Sequence, residues 1–72
     1  MRKYYVIFDD EDGMEVESYD ITEIVREQFN GIKTKGEQQD VIDEIEELKI
    51  GETYEYYNEY RKRNDLSIKR IG

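Results

Sequence analysis

The longest apolar run in this 72-residue chain is only five residues long, from Tyr4 to Phe8. Its β-branched and aromatic composition predicts a β-strand that is buried on both faces or nearly so. The run is too short to cross a bilayer or to form the core of a signal peptide, so we expect no membrane association. The chain length supports one domain, residues 1–72, with one small core, and there is no cysteine to staple it. The other apolar residues are periodic, which favours a folded domain although 42% of the residues are charged.

A second strand is predicted shortly after the first. Residues 14–18 alternate apolar and polar side chains with period two, so we expect Met14 and Val16 to face the core. The intervening residues 9–13 would form the turn of a hairpin, with Gly13 adopting positive φ.

Two helices are predicted next. Asp20 and Glu23 have the spacing of a capping box at the start of the first helix, and Asn30-Gly31 is a typical helix end. Its apolar stripe consists of Ile21, Ile24, Val25 and Phe29. Thr34 and Glu37 repeat the capping pattern for the second helix, which would end at Gly51. The apolar stripe of that helix consists of Val41, Ile42, Ile45 and Leu48.

The last third of the chain predicts a second hairpin. Residues 53–61 contain four tyrosines, which favour a strand, although two of them also have helical spacing. Residues 66–69 alternate as a strand, and 63–65 would be the turn between the two strands. The predicted order is therefore ββααββ. This is an α+β domain in which two helices cover one face of an antiparallel sheet.

The composition excludes several kinds of catalysis. Without histidine or cysteine, no Ser–His or Cys–His nucleophile can form. A catalytic carboxylate pair needs a pocket that a domain of this size can barely enclose, so we expect no enzymatic activity and no cofactor. Alignment of Gly13 with the glycine of a calcium loop places Asp10 and Asp12 at ligand positions. Because Phe8 and Tyr19 then occupy the first and twelfth positions, where the loop needs acids, we predict no metal site.

Charge is strongly segregated along the chain. Residues 9–20 contain seven acids and no base, and residues 37–59 contain nine acids and one lysine. These two runs together carry −15, the rest of the chain carries +7, and the net charge is −8. Within the second run, the predicted helix has an acidic ridge opposite its apolar stripe, formed by Asp40, Asp43, Glu44 and Glu47. Like charges four residues apart destabilise a helix by a few tenths of a kcal/mol per pair. The ridge is therefore either a solvated face or a surface that binds a partner.

The spacing of the ridge resembles that of phosphates. At about 1.5 Å of rise per residue, Asp40 to Glu44 spans about 6 Å and Glu44 to Glu47 about 4.5 Å. One strand of duplex DNA places a phosphate about every 3.4 Å of axis. The ridge could therefore occupy a basic groove built for nucleic acid. Its flank would be the acidic turn, which consists of Asp9, Asp10, Glu11 and Asp12.

The tyrosines and the basic C-terminus allow other hypotheses. Strand alternation would turn Tyr57 away from Tyr54 and Tyr56, which exposes an aromatic side chain suited to anchoring an interface. Tyrosines beside residues 61–63, which are all basic, could instead bind single-stranded nucleic acid. Alternatively, the basic end could balance an acidic run within the chain. A third possibility is a small structural or assembly protein that forms oligomers through a sheet edge.

A compact acidic α+β chain with segments such as GETYEYYNEY and no cysteine or tryptophan resembles the small proteins of phages and prophages of low-GC Gram-positive bacteria. Within that group it is similar in character to anti-CRISPR and other anti-defence inhibitors that imitate DNA. The resemblance implies an inhibitor that acts in the host cytoplasm without binding nucleic acid itself. Its partner would be a protein with a basic nucleic-acid-binding surface.

Overall fold

The computed structural model describes residues 2–9 and 12–72 and confirms the predicted α+β fold with the order ββααββ. The strands form one antiparallel sheet in the order β2-β1-β4-β3, so β1 and β4 are central and β2 and β3 are the edges. The elements are β1 (Lys3–Phe8), β2 (Met14–Glu17), α1 (Ser18–Gln28), α2 (Lys35–Glu46), β3 (Thr53–Asn58) and β4 (Arg63–Arg70).

The two helices cover one face of the sheet and leave the other open. Even-numbered side chains of the central strands and the apolar stripes of both helices form the core. Its fully buried members are Tyr4, Val6, Ile21, Val25, Phe29, Ile42, Ile45, Leu66 and Ile68. On β1, Tyr5 points to the open face and is 39% exposed. The prediction that β1 is buried on both faces is therefore wrong, because the two helices supply only one apolar layer.

The first hairpin differs from its prediction at two residues. Gly13 does not adopt positive φ; Asp9 does, with φ 53°. Position 13 is crowded for a different reason, since an added Cβ would overlap the far end of the Tyr5 ring and the ring would have to move. Met14 is half exposed rather than in the core, whereas Val16 is buried as expected.

The helix starts are set by side-chain caps. The first capping box lies three residues earlier than predicted: α1 begins at Ser18, and the backbone N–H of Glu17 donates to Oδ2 of Asp20 at 3.1 Å. The prediction for α2 is confirmed, because the N–H of Thr34 donates to Glu37 Oε1 at 2.9 Å and the N–H of Glu37 donates to Thr34 Oγ1 at 3.2 Å. Helix α2 ends at Glu46, earlier than expected, and Gly51 (φ 93°) lies in the turn that follows.

The turn of the second hairpin spans residues 59–62 rather than 63–65. Asn58 fixes it, because its Oδ1 accepts hydrogen bonds from the backbone N–H groups of Tyr60 and Arg61 at 3.0 and 3.2 Å. Lys62 closes the turn with φ 54°, so β4 begins at once with Arg63.

A β-bulge at Asp65 of β4 shifts the pairing between β3 and β4 after Tyr56. Tyr56 pairs with Leu66 and the next residue, Tyr57, pairs with Asn64, so the extra residue lies on β4. Strand β3 has no extra residue, and the burial of its side chains alternates along its whole length. Tyr57 therefore points away from the other tyrosines of β3, as predicted.

Candidate functional site

All four side chains of the predicted acidic ridge are exposed on the outer face of α2. The opposite face of the helix contributes Val41, Ile42 and Ile45 to the core, so packing fixes the orientation of the ridge. Oδ1 of Asp43 accepts a hydrogen bond from Nε2 of Gln39 at 2.9 Å. Within residues 2–9 and 12–72, no ridge carboxylate forms an ion pair.

The C-terminal end of α2 is capped by arginines from the sheet rather than by its own residues. The last turn of α2 contains no basic residue. Instead, Nη1 of Arg2 donates to the carbonyl oxygen of Glu46 at 2.5 Å, and Nη1 of Arg70 donates to that of Leu48 at 2.9 Å. These guanidinium groups offset the partial negative charge of the helix end. They bind backbone carbonyls, and the ridge carboxylates beside them remain free of these two cations.

The Asp9 carboxylate lies in a charge cluster between the two hairpins. Arg63 binds it with both ends of its fork, Nε to Oδ1 at 2.7 Å and Nη2 to Oδ2 at 2.8 Å, and Arg61 Nη2 lies 3.4 Å from Oδ2. Asp65, which is 4% exposed, lies 3.5 Å from each arginine and accepts a hydrogen bond from Nδ2 of Asn58 at 2.7 Å. Part of the basic C-terminal hairpin is thus balanced by the first acidic run, which was one of the alternatives left open by the sequence.

The predicted flank of the ridge is only partly described. Asp9 is turned toward Arg63 rather than toward α2, and Asp12 is exposed. Asp10 and Glu11 lie outside the described residues. Sequence reasoning missed Arg61 and Arg63 as partners of Asp9, because more than fifty residues separate them along the chain and no local pattern links them.

Two observations relate α2 to β3. At the N-terminal end of the helix, Gln38 Nε2 donates to the carbonyl oxygen of Phe29, whose ring contacts Tyr56 edge-on with ring centroids 4.8 Å apart. Farther along the helix, the pKa of Tyr54 is raised from its usual value by burial and then by the charge of Glu44. Glu44 is therefore the ridge residue whose charge acts on β3.

Tyr57 lies on the open face of the sheet, opposite the helices. Its side chain is 53% exposed, and it directly follows Tyr56, which packs against the core. The predicted aromatic anchor and the predicted ridge therefore lie on opposite sides of the sheet.

A depression of about 620 Å³ lies at the turn between the helices, where α2 begins. Its lining combines bases, acids and polar groups and includes Arg26, Lys33, Lys35, Glu23 and Glu27. No group of three or more carboxylates is arranged to hold a metal ion in the part of the chain that the structure describes. Neither α1 nor α2 is long and apolar enough to cross a membrane.

No protein-family model matches this chain, and searches of curated proteins and of solved structures find no significant match either.

Proposed function

We propose that this chain is a non-enzymatic protein-interaction module that inhibits a nucleic-acid-binding protein, such as a CRISPR effector, in the cytoplasm of a bacterial host. The acidic ridge of α2, formed by Asp40, Asp43, Glu44 and Glu47, would take the place of backbone phosphates in a basic groove. Tyr57, exposed on the open face of β3, would provide an aromatic contact.

The supporting observation is the unequal distribution of partners between the arginines and the ridge. Each of the five arginines contacts a described group: Arg2 and Arg70 contact backbone carbonyls, Arg26 contacts Gln38 and Gln39, and Arg61 and Arg63 contact Asp9 and Asp65. The ridge has no ion pair among the same described residues. The arginine side chains are therefore engaged within the molecule, whereas the ridge carboxylates remain available to bind a partner.

The dimensions of the ridge fit this role. From Asp40 to Glu47 the helix rises about 10.5 Å at 1.5 Å per residue. One DNA strand places about three phosphates along the same length of axis. Exposed carboxylates of one sign attract a basic surface over roughly one Debye length, about 10 Å at 0.1 M salt. Association should accordingly be fast and should weaken as salt is added.

A charge-matched pair of variants tests the proposal. Asp40→Lys/Glu44→Lys reverses two exposed ridge acids, and Glu23→Lys/Glu27→Lys reverses two exposed acids with the same spacing on α1. Wild type and both variants are immobilised and incubated with nuclease-treated bacterial lysate at low and high salt, and the bound proteins are identified. Circular dichroism and thermal unfolding check that both variants are folded.

We expect the ridge variant to lose a partner that wild type and the α1 variant retain at low salt. The purified partner should release its nucleic acid when wild type is added. The proposal fails if all three proteins capture the same lysate proteins, because the ridge then acts only as a solvated face. It also fails if the captured protein still binds nucleic acid when saturated with wild type.

A further inference from the structure

The edge of β3 carries backbone groups that no neighbouring strand binds, since β3 is the last strand in the order β2-β1-β4-β3. The N–H of Arg70 donates to the carbonyl oxygen of Glu52 at 3.0 Å, and Arg70 is even-numbered like Ile68 and Leu66. Alternation along an antiparallel ladder then directs the backbone groups of Tyr54 and Tyr56 toward β4. Those of Thr53 and Glu55 point away from the sheet, where they can pair with another strand.

The charges on either side of this edge favour a basic occupant. On the helix side, Tyr54 of β3 is within reach of the charge of Glu44, a residue of the ridge. On the open face, Glu55 is exposed. Neither glutamate forms an ion pair with a described residue. An added strand would therefore have an unpaired carboxylate on each of its faces.

A second copy of this chain fits the edge poorly. Antiparallel pairing of β3 with β3 of another copy would place Thr53 opposite Glu55 and Tyr54 opposite its own equivalent. The acidic α2 helices of the two copies would then lie on the same face of the joined sheet, in chains that each carry −8. Repulsion between like charges opposes that arrangement, whereas a positively charged strand relieves it.

The other edge of the sheet is less suited to strand addition. Strand β2 has only four residues, and helix α1 follows directly at Ser18. Strand β3 has six residues, and the extra residue of the bulge lies on β4, so the outer edge of β3 is regular.

We propose that the free edge of β3 binds an extended lysine- and arginine-bearing segment of the partner protein as a fifth strand. Backbone hydrogen bonds to Thr53 and Glu55 would hold the segment, and its alternate side chains would reach the ridge on one face and Glu55 on the other. This inference rests on the proposed function, since it specifies which part of the partner the acidic surface recognises.

The probe is a labelled eight-residue peptide in which lysine and arginine alternate with threonine, followed by fluorescence anisotropy at low salt. A second peptide has the same sequence and charge, but alternate backbone amides are N-methylated, so it cannot pair as a strand. Thr53→Pro removes the outward N–H without touching a ladder bond to β4, because proline is tolerated at such edge positions. Thr53→Val keeps that N–H and is the matched control.

We expect Thr53→Pro and N-methylation each to weaken binding at least tenfold and Thr53→Val to change it less than twofold. Asp40→Lys/Glu44→Lys should also weaken it. If binding survives both Thr53→Pro and N-methylation but falls with the ridge variant, strand addition is wrong and the acidic ridge remains the binding surface. If the unmodified peptide does not bind at millimolar concentration, strand addition is likewise overturned. The lysate experiment with the charge-matched variants then decides the proposed function separately. Unchanged thermal unfolding of Thr53→Pro ensures that any loss reflects the edge.

Discussion

Replacing Asp65 by alanine should be among the most destabilising polar substitutions in this chain. The Asp65 carboxylate is 4% exposed, accepts a hydrogen bond from Asn58 at 2.7 Å and lies 3.5 Å from both Arg61 and Arg63. Alanine removes that charge-assisted bond, worth about 1.5–3 kcal/mol, and leaves the Asn58 amide without its partner. Asp9 still compensates the two arginines, whose side chains are 50% and 38% exposed, so the loss of ionic contact adds little.

The expected loss in the free energy of unfolding is therefore about 2–4 kcal/mol. A domain of this length has a total stability of about 4–11 kcal/mol, so the variant should lose a large part of it. Its Tm should fall by between about 8 and 30 °C. Asp65→Asn keeps an oxygen that can accept from Asn58, so it should lose only about half as much.

Urea unfolding followed by circular dichroism measures the effect, with Asp43→Ala as the control. Asp43 is an exposed aspartate with a single side-chain hydrogen bond, and its replacement should change stability by no more than about 0.5 kcal/mol. If Asp65→Ala and Asp43→Ala unfold at the same urea concentration with the same slope, then Asp65 is not a structural centre of the hairpin.

Three further predictions follow from other buried or crowded groups. Tyr4→Phe should leave the free energy of unfolding unchanged or raise it by up to about 1 kcal/mol, because the buried Tyr4 hydroxyl has no hydrogen-bond partner among the described residues. A loss of more than about 1 kcal/mol in urea unfolding would contradict this prediction. Gly13→Ala should lower the free energy of unfolding by about 1–2 kcal/mol, because its Cβ would meet the Tyr5 ring. In a double-mutant cycle, Tyr5→Ala should remove most of that loss, and additive losses would show that the ring is not the obstacle. Because the pKa of Tyr54 is raised in the folded state, its contribution to the free energy of unfolding is complete below about pH 10 and is lost as the pH rises through the raised folded value. NMR titration should find a lower pKa for Tyr54 in Glu44→Gln, and an unchanged pKa would show that the charge of Glu44 does not act on Tyr54.

Much of the fold could be predicted from the sequence because its elements are encoded locally. The apolar stripe of α2 and its Thr34–Glu37 capping box lie within one segment, and the structure confirms both. The exposure of the ridge follows from the same periodicity. Local rules were less reliable where two signals compete. The capping box of α1 is formed by Glu17 and Asp20 and lies three residues before the predicted one, because α1 follows β2 without an intervening loop.

The remaining features depend on contacts between distant residues or on irregular backbone. The bulge at Asp65 shifts the pairing of β4 with β3, and the alternation of residues 66–69 gives no sign of it. The left-handed conformation of Asp9 accompanies its bidentate contact with Arg63, which becomes possible only when β1 and β4 pair in the sheet. The crowding at position 13 comes from the ring of Tyr5, which lies on the neighbouring strand.

The placement of the arginines links the fold to the proposed function. Arg61 and Arg63 join the two hairpins by binding Asp9, and both also contact Asp65 within their own hairpin, so these two cations of the basic C-terminal segment are engaged within the molecule. Arg70 lies in the same segment, and its guanidinium group donates to the carbonyl oxygen of Leu48. There it stabilises the end of α2 without neutralising a ridge carboxylate. A lysine at position 44 or 47 could have stabilised this helix end and lowered the repulsion along the ridge at the same time. Because the capping arginines lie outside α2, the helix end is stabilised and the ridge keeps its full negative charge. The proposed binding of a basic partner requires both.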